Sequence, residues 1–369
     1  MNQLLDNQLL SADDVLLEPQ LGILRSRSEA ILQSFIYSAP MDTVTGYTLA
    51  KALLKENEIP IICREIPDEE YCACLRDFHN TSAFFAIGAT EAELRRFIER
   101  MGKTVSSLSD DTRLNVAIDI AHGDSIVAYS AIKFLREYPF INSIMSGSIC
   151  TPAAALRSVK AGCTHLRVGV GPGSVCTTRI MTGVGVPQLS AVYLIHRELA
   201  KENLREDIEI ISDGGIRYPG DAVKYLAAGA DAVMMGSVFS KALEAKGWIQ
   251  LAPEMPAPNV VLSFPLPEPE LRLVKSYRGH ASADFQNAHR GQSNRCPEGT
   301  STSQFKWTGD TVESICEKYR GGLASAISYL GIKDMKDLDP STIKFMKITT
   351  STFMESMPHN QEVNDVRNI

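Results

Sequence analysis

The chain has 369 residues, 44% hydrophobic and 22% charged, enough for one large α/β barrel or two ordinary domains. A formal net charge of -7 argues against a surface built to hold nucleic acid, although backbone amides and helix N-termini can still bind a nucleotide-sized anion. The sequence has no long apolar run to span a membrane and no basic segment ahead of an apolar core at its start. It therefore reads as a cytoplasmic protein with reduced thiols.

In chain order, short β-branched runs alternate with amphipathic stretches, the pattern of βα units around a parallel sheet. Eight strands are expected: Ser34–Ala39, Pro60–Cys63, Ala83–Ile87, Asn115–Asp119, Ile141–Met145, His165–Gly169, Ile208–Ser212 and Ala232–Met235. Between them Thr90–Met101, Ser125–Glu137, Thr151–Ala161, Ser190–Leu199 and Tyr218–Ala228 are long enough for crossover helices. Eight such units predict a single (β/α)8 barrel over 1–369. The residues after each strand are rich in Gly, Ser and Asp, which puts polar chemistry at one end of the sheet.

Beyond Gly236 the alternation breaks. Trp248–Pro269 is proline-rich, and Ser276–Thr308 is polar. A long segment without regular structure before the closing helix, Val312–Leu330, predicts a mobile active-site flap over 270–308. The tail starts β-rich at Lys347-Ile348-Thr349-Thr350 and then turns polar.

The strongest motif is Gly169 to Arg179, Gly-Val-Gly-Pro-Gly-Ser-Val-Cys-Thr-Thr-Arg, directly after the sixth expected strand. Its glycines permit a tight turn and close approach to a ligand, and its amides can cradle a phosphate. Cys176 on that loop is a candidate nucleophile. Cys72 and Cys74 are too few and too close for a zinc site, and the remaining cysteines read as structural. His122 and His280 have no evident role.

This loop closely resembles the catalytic loop of the IMP dehydrogenase and GMP reductase family. Pro40-Met41-Asp42, Asp119 with Ala121-His122-Gly123, Ser212-Asp213-Gly214-Gly215, Met235-Gly236-Ser237, Tyr277-Arg278-Gly279 and Pro297-Glu298-Gly299 follow in that family's order. The resemblance implies that Cys176 attacks C2 of a purine monophosphate, splitting one substitution into two steps. It implies that Ser174, Gly214, Gly215, Gly236, Ser237 and Arg278 bind the nucleotide, that Asp213 takes the ribose and that Met41 packs on the base. Asp119, Ala121 and Gly171 would meet the nicotinamide dinucleotide, and Thr178 and Glu298 would handle ammonia or water. A homotetramer is implied as well; the expectation of no nucleic-acid or membrane partner rests on the charge and the lack of a long apolar run.

The branch expected is GMP reductase, with NADPH as reductant. The stretch between His280 and Glu298 is short and has no Arg-Tyr pair, and little chain separates Arg64 from the third strand, so no regulatory CBS-type insert is expected. An IMP dehydrogenase without that insert is the alternative. It would use NAD and water, with potassium held by the carbonyls of Gly171, Gly173 and Cys176. Arg64, Arg167 and Ser148 replace the lysine, lysine and asparagine usual in the family. Arginine does not readily give up a proton, which keeps a modified purine substrate or a weakly catalytic nucleotide-binding paralogue in view.

Overall fold

The computed structural model describes residues 3–104, 112–253, 271–291 and 296–356. Eight parallel strands carry the fold: β1 Ile36–Ser38, β2 Ile61–Ile62, β3 Phe84–Ile87, β4 Leu114–Ile118, β5 Ile141–Ile149, β6 His165–Val168, β7 Glu209–Asp213 and β8 Ala232–Met235. They lie in the order β1-β8-β7-β6-β5-β4-β3-β2. A parallel bridge from Tyr37 to Ile59 brings the two outer strands together, with Ser38 N–H donating to the Ile59 carbonyl at 3.1 Å. The expected (β/α)8 barrel is the fold.

The strands are buried on both faces, which is why they read as apolar runs and not as alternating ones. Tyr37, Phe84, Ala117, Met145, Ile211 and Met234 point into the barrel. Their neighbours Ile36, Phe85, Val116, Ile144, Ile210 and Val233 point out, into the layer shared with the helices. Low in the interior, Tyr37 donates to Glu209 at 2.7 Å, and His165 Nε2 lies 3.1 Å from the same carboxylate.

The outer helices are α1 Tyr47–Lys55, α2 Asp68–Phe78, α3 Glu91–Thr104, α4 Ile126–Arg136, α5 Pro152–Ala161, α6 Gln188–Lys201, α7 Pro219–Ala227 and α8 Val312–Tyr329. Their ends follow local chemistry. Ser125 caps α4 by accepting from Ala128 N–H, and Thr151 caps α5 ahead of Pro152. Gly162 ends α5 at φ 111°, a left-handed conformation that suits glycine.

The region after β8 differs from the structureless segment expected. An antiparallel sheet is built from β9 Ile249–Pro253, β10 Leu271–Tyr277 and β11 Ser303–Lys306, and a helix, Ala283–Arg290, follows β10. The strand pattern is masked in the sequence by Lys275, which is fully buried in mid-strand with its ammonium donating to the carbonyls of Ala242 and Leu243. Gly247 N–H donates to the Thr43 carbonyl at 2.9 Å, fastening this sheet to the loop after β1. In the tail, Phe345–Lys347 pairs antiparallel with Val15–Leu17. Residues 357–369 lie outside the described residues, as do residues 270 and 292–295 of the expected flap.

Candidate active site

A cavity of about 410 Å³ opens at the C-terminal ends of the strands, the face where barrels of this kind carry their chemistry. It is lined by Met41 after β1, Asp119 and Ala121 after β4, the loop after β6, Asp213-Gly214-Gly215 at the end of β7, and Gly236-Ser237 after β8. Glu298, beyond the helix Ala283–Arg290, reaches the same space. Of the residues singled out in the sequence, Cys176, Thr178, Glu298, Met41, Ser174, Asp213, Gly214, Gly215, Gly236, Ser237, Asp119, Ala121, Gly171 and Gly173 all line it. Arg278 does not. Its guanidinium is committed to Asp42, which also takes a 3.0 Å contact from His289 Nε2, and it lies over the Phe285 ring.

The loop after β6 is held from both sides. Gly171 sits at φ 81°, and a side chain there would collide with Arg179. Arg179 in turn staples the loop, donating to the carbonyls of Val170 at 2.9 Å and Val186 at 2.6 Å. Cys176 N–H donates to the Gly173 carbonyl at 3.0 Å, and a bridge pairs Cys176 with Gly299. That pairing is what brings Glu298 to the thiol. The Cys176 Sγ donates to Thr178 Oγ1 at 3.3 Å, and Thr178 Oγ1 donates to Glu298 Oε2 at 2.9 Å.

Across the cavity the floor is ionic. Arg167 donates through Nε to Asp213 at 2.7 Å and through one terminal nitrogen to Asp119 at 2.8 Å. Burial alone would depress the Arg167 guanidinium, but Asp213 and Asp119 outweigh it and raise its pKa. Burial likewise opposes ionisation of Asp119. The His280 ring N–H turned toward it and the charges of Arg167 and Arg64 overcome that and hold its carboxyl well below the usual range.

Two neighbours of Asp119 carry no local signal of their role in the sequence. His280 Nδ1 lies 3.6 Å from Asp119 Oδ2, while its Nε2 accepts from Asp42 N–H at 3.1 Å. That acceptor places the ring proton on Nδ1, facing the carboxylate. Arg64, where a lysine is usual, is spread over three carboxylates: Glu65 at 2.9 Å, Glu93 at 2.6 Å and Asp119 at 4.0 Å. Burial would lower its pKa, but Glu65, Asp119 and Glu93 raise it, so it serves as a fixed positive charge and not as a proton donor.

On the nucleotide side, an added Cβ at Gly236 would come 3.1 Å from both Met41 Sδ and Tyr277 Oη, so the bare backbone leaves the space a ligand group needs. Tyr277, also missed in the sequence as a site residue, is buried and donates to Met41 Sδ at 3.5 Å. The array combines a thiol, a hydroxyl–carboxylate relay, a glycine cradle at the ends of β7 and β8, and a carboxylate–arginine–carboxylate bridge. Such a set suits covalent chemistry on an anionic ligand.

Among the described residues, no helix is long and apolar enough to cross a membrane. Residues 10–255 and 266–359 match the IMP dehydrogenase / GMP reductase domain model. Inosine-5'-monophosphate dehydrogenase of Chlorobaculum parvum is 36% identical over 256 residues, covering 66% of this chain and 47% of that protein. The namesake from Borreliella burgdorferi is 33% identical over 303 residues, 79% of this chain and 67% of the relative. The Aquifex aeolicus protein of that name is 28% identical over 372 residues, 97% of this chain and 66% of its own length. The chain spans about half the length of the Chlorobaculum parvum relative and about two thirds of the other two. With the family model matched along nearly the whole barrel, the chain belongs to the IMP dehydrogenase / GMP reductase family.

Proposed function

We propose that the protein oxidises a purine monophosphate at C2 through a covalent Cys176 adduct, in the IMP dehydrogenase direction: IMP + NAD⁺ + H₂O gives XMP + NADH + H⁺. The observation that carries the covalent step is the chain of contacts Cys176–Thr178–Glu298 inside the cavity. In this reading the Cys176 thiolate adds to C2, and the bound dinucleotide supplies the hydride acceptor. Thr178 and Glu298 then take the proton from the water that releases the product and restore the thiol. Asp213, fixed by Arg167, orients the ribose, and the glycines at 214, 215 and 236 admit the phosphate to the backbone.

Two observations favour the dehydrogenase over the GMP reductase expected from the motifs. The curated relatives quoted above carry the dehydrogenase name. Arg64, engaged by three carboxylates, is a poor proton donor for a reductive step that must protonate departing ammonia. The reductase reading keeps the support of the short stretch between His280 and Glu298, which has no Arg-Tyr pair. NAD as dinucleotide, potassium on the carbonyls of the Cys176 loop, and the homotetramer belong to this same proposal.

The test is the absorbance of reduced nicotinamide with purified protein, IMP plus NAD⁺ beside GMP plus NADPH, each with and without potassium. A rise with IMP is expected. Loss of absorbance with GMP reverses the direction, and silence in both removes the assignment. Sedimentation of the same preparation tests the tetramer.

A further inference from the structure

A second constellation sits at the rim of the cavity and takes no part in the chemistry above. Cys63, fully buried where β2 ends, Glu65 two residues on, and His280 after β10 bring their ligand atoms within 4.8 Å of one another. Cys63 Sγ is 3.6 Å from Glu65 Oε2 and 3.8 Å from His280 Nε2. A tetrahedral ion with about 2.3 Å to sulfur and about 2.0–2.1 Å to nitrogen or oxygen sets sulfur roughly 3.6 Å from each other ligand. The two edges measured from Cys63 already have that length.

The second shell has the right form too. A metal-ligating histidine ordinarily donates its other ring N–H to a carboxylate, which fixes the tautomer and leaves the ligating nitrogen free to bind. Here Nε2 is the nitrogen that faces Cys63, and Nδ1 is the one turned toward Asp119. One thiolate and one carboxylate would balance the charge of a divalent ion. The mixed sulfur, nitrogen and oxygen set suits a borderline-soft metal and not calcium or magnesium.

We propose that Cys63, Glu65 and His280 form a binding site for a zinc-class divalent cation, which ties the segment after β10 to the end of β2 at the mouth of the cavity. Binding exchanges existing contacts for metal bonds. The Asp42 N–H leaves His280 Nε2, Arg64 gives up its 2.9 Å contact with Glu65, and the Cys63 thiol loses a proton to solvent as the Cys63–metal bond forms. Three protein ligands leave one position for water or a ligand group.

Cobalt(II) is the probe, added to chelator-treated full chain and followed by absorption. The expected result is one cobalt per chain, with a thiolate-to-cobalt charge-transfer band and tetrahedral d–d bands, both displaced by zinc. Cys63→Ser should abolish the charge-transfer band, and Cys176→Ser should leave it in place. Asp119→Asn should weaken binding by about 10–100-fold through the second shell. A band that survives Cys63→Ser, or that Cys176→Ser removes, overturns the site, as does cobalt that stays octahedral. Should Cys63→Ser fail to fold, His280→Asn and Glu65→Gln carry the test, and unchanged cobalt affinity in both overturns it. None of these readings depends on turnover, so the metal site and the proposed reaction fail or stand separately.

Discussion

Thr178 Oγ1 donates to Glu298 Oε2 at 2.9 Å across 120 residues of sequence, and the same hydroxyl accepts from the Cys176 thiol. One hydroxyl therefore links the proposed nucleophile to the carboxylate proposed as its base. Glu298→Gln keeps the shape and removes the base. General-base loss costs on the order of 10²–10⁴-fold. We expect kcat to fall by at least about 10²-fold with KM for the nucleotide little changed. Steady-state kinetics of the variant check this, and a loss confined to KM would make Glu298 a binding residue.

Cys176→Ala removes the proposed nucleophile without touching the glycines or Asp213. Turnover should vanish, while the nucleotide still stabilises the fold, by about 2.7 kcal/mol at a hundredfold excess over Kd. Thermal unfolding with and without IMP, beside intact-mass analysis for a covalent adduct, measures both halves. Turnover that survives would end the covalent mechanism.

Arg167 is the common partner of Asp119 and Asp213, so its removal takes the shared cation from two carboxylates in a largely buried site, leaving Asp119 with only the more distant Arg64 and His280. Breaking such a buried pair from one side typically costs about 3–5 kcal/mol. Arg167→Met should lower stability by that order in urea unfolding near neutral pH. The loss should shrink in acid, as the Asp119 carboxyl, which Arg167 helps hold below its ordinary range, takes up a proton and no longer needs a cation.

Lys275 gives a pH test of the sheet beyond β8. Burial pushes its ammonium down from 10.5 to about 8, against the pull of Glu244. Below the folded value the buried charge is a full penalty, and between about 8 and 10.5 the unfolded chain binds more protons, so this group's contribution to stability improves as pH rises. Melting temperatures of wild type and Lys275→Met should therefore shift relative to one another, in favour of wild type, between pH 8 and 10. A pH-independent difference would mean that the lysine's pKa is not depressed.

The barrel was legible because its signals are local. Each expected strand is present, from Ser34–Ala39 as β1 to Ala232–Met235 as β8, and β5 runs on to Ile149. Ser125, Thr151 and Gly162 mark helix ends through contacts within a few residues of themselves. The Cys176 loop stood out the same way, as three glycines ahead of a thiol in eleven consecutive residues. The sheet beyond β8 stayed hidden because its middle strand carries a buried lysine whose partners, Ala242 and Leu243, lie more than 30 residues away.

By itself, then, the sequence determined the order of the βα units, the end of the sheet that carries polar chemistry, and the candidate nucleophile. These follow from backbone conformation and from burial on both faces of each strand, which neighbouring residues decide. Only the tertiary structure decided what joins Arg167 to Asp119 and Asp213, 48 and 46 residues away, and what sets His280 against Cys63, 217 residues away. It also turned Arg278 from the cavity toward Asp42. Such pairings rest on Coulomb attraction and hydrogen bonding across closed loops, and no periodicity in the chain records them, because the barrel must close before the partners meet.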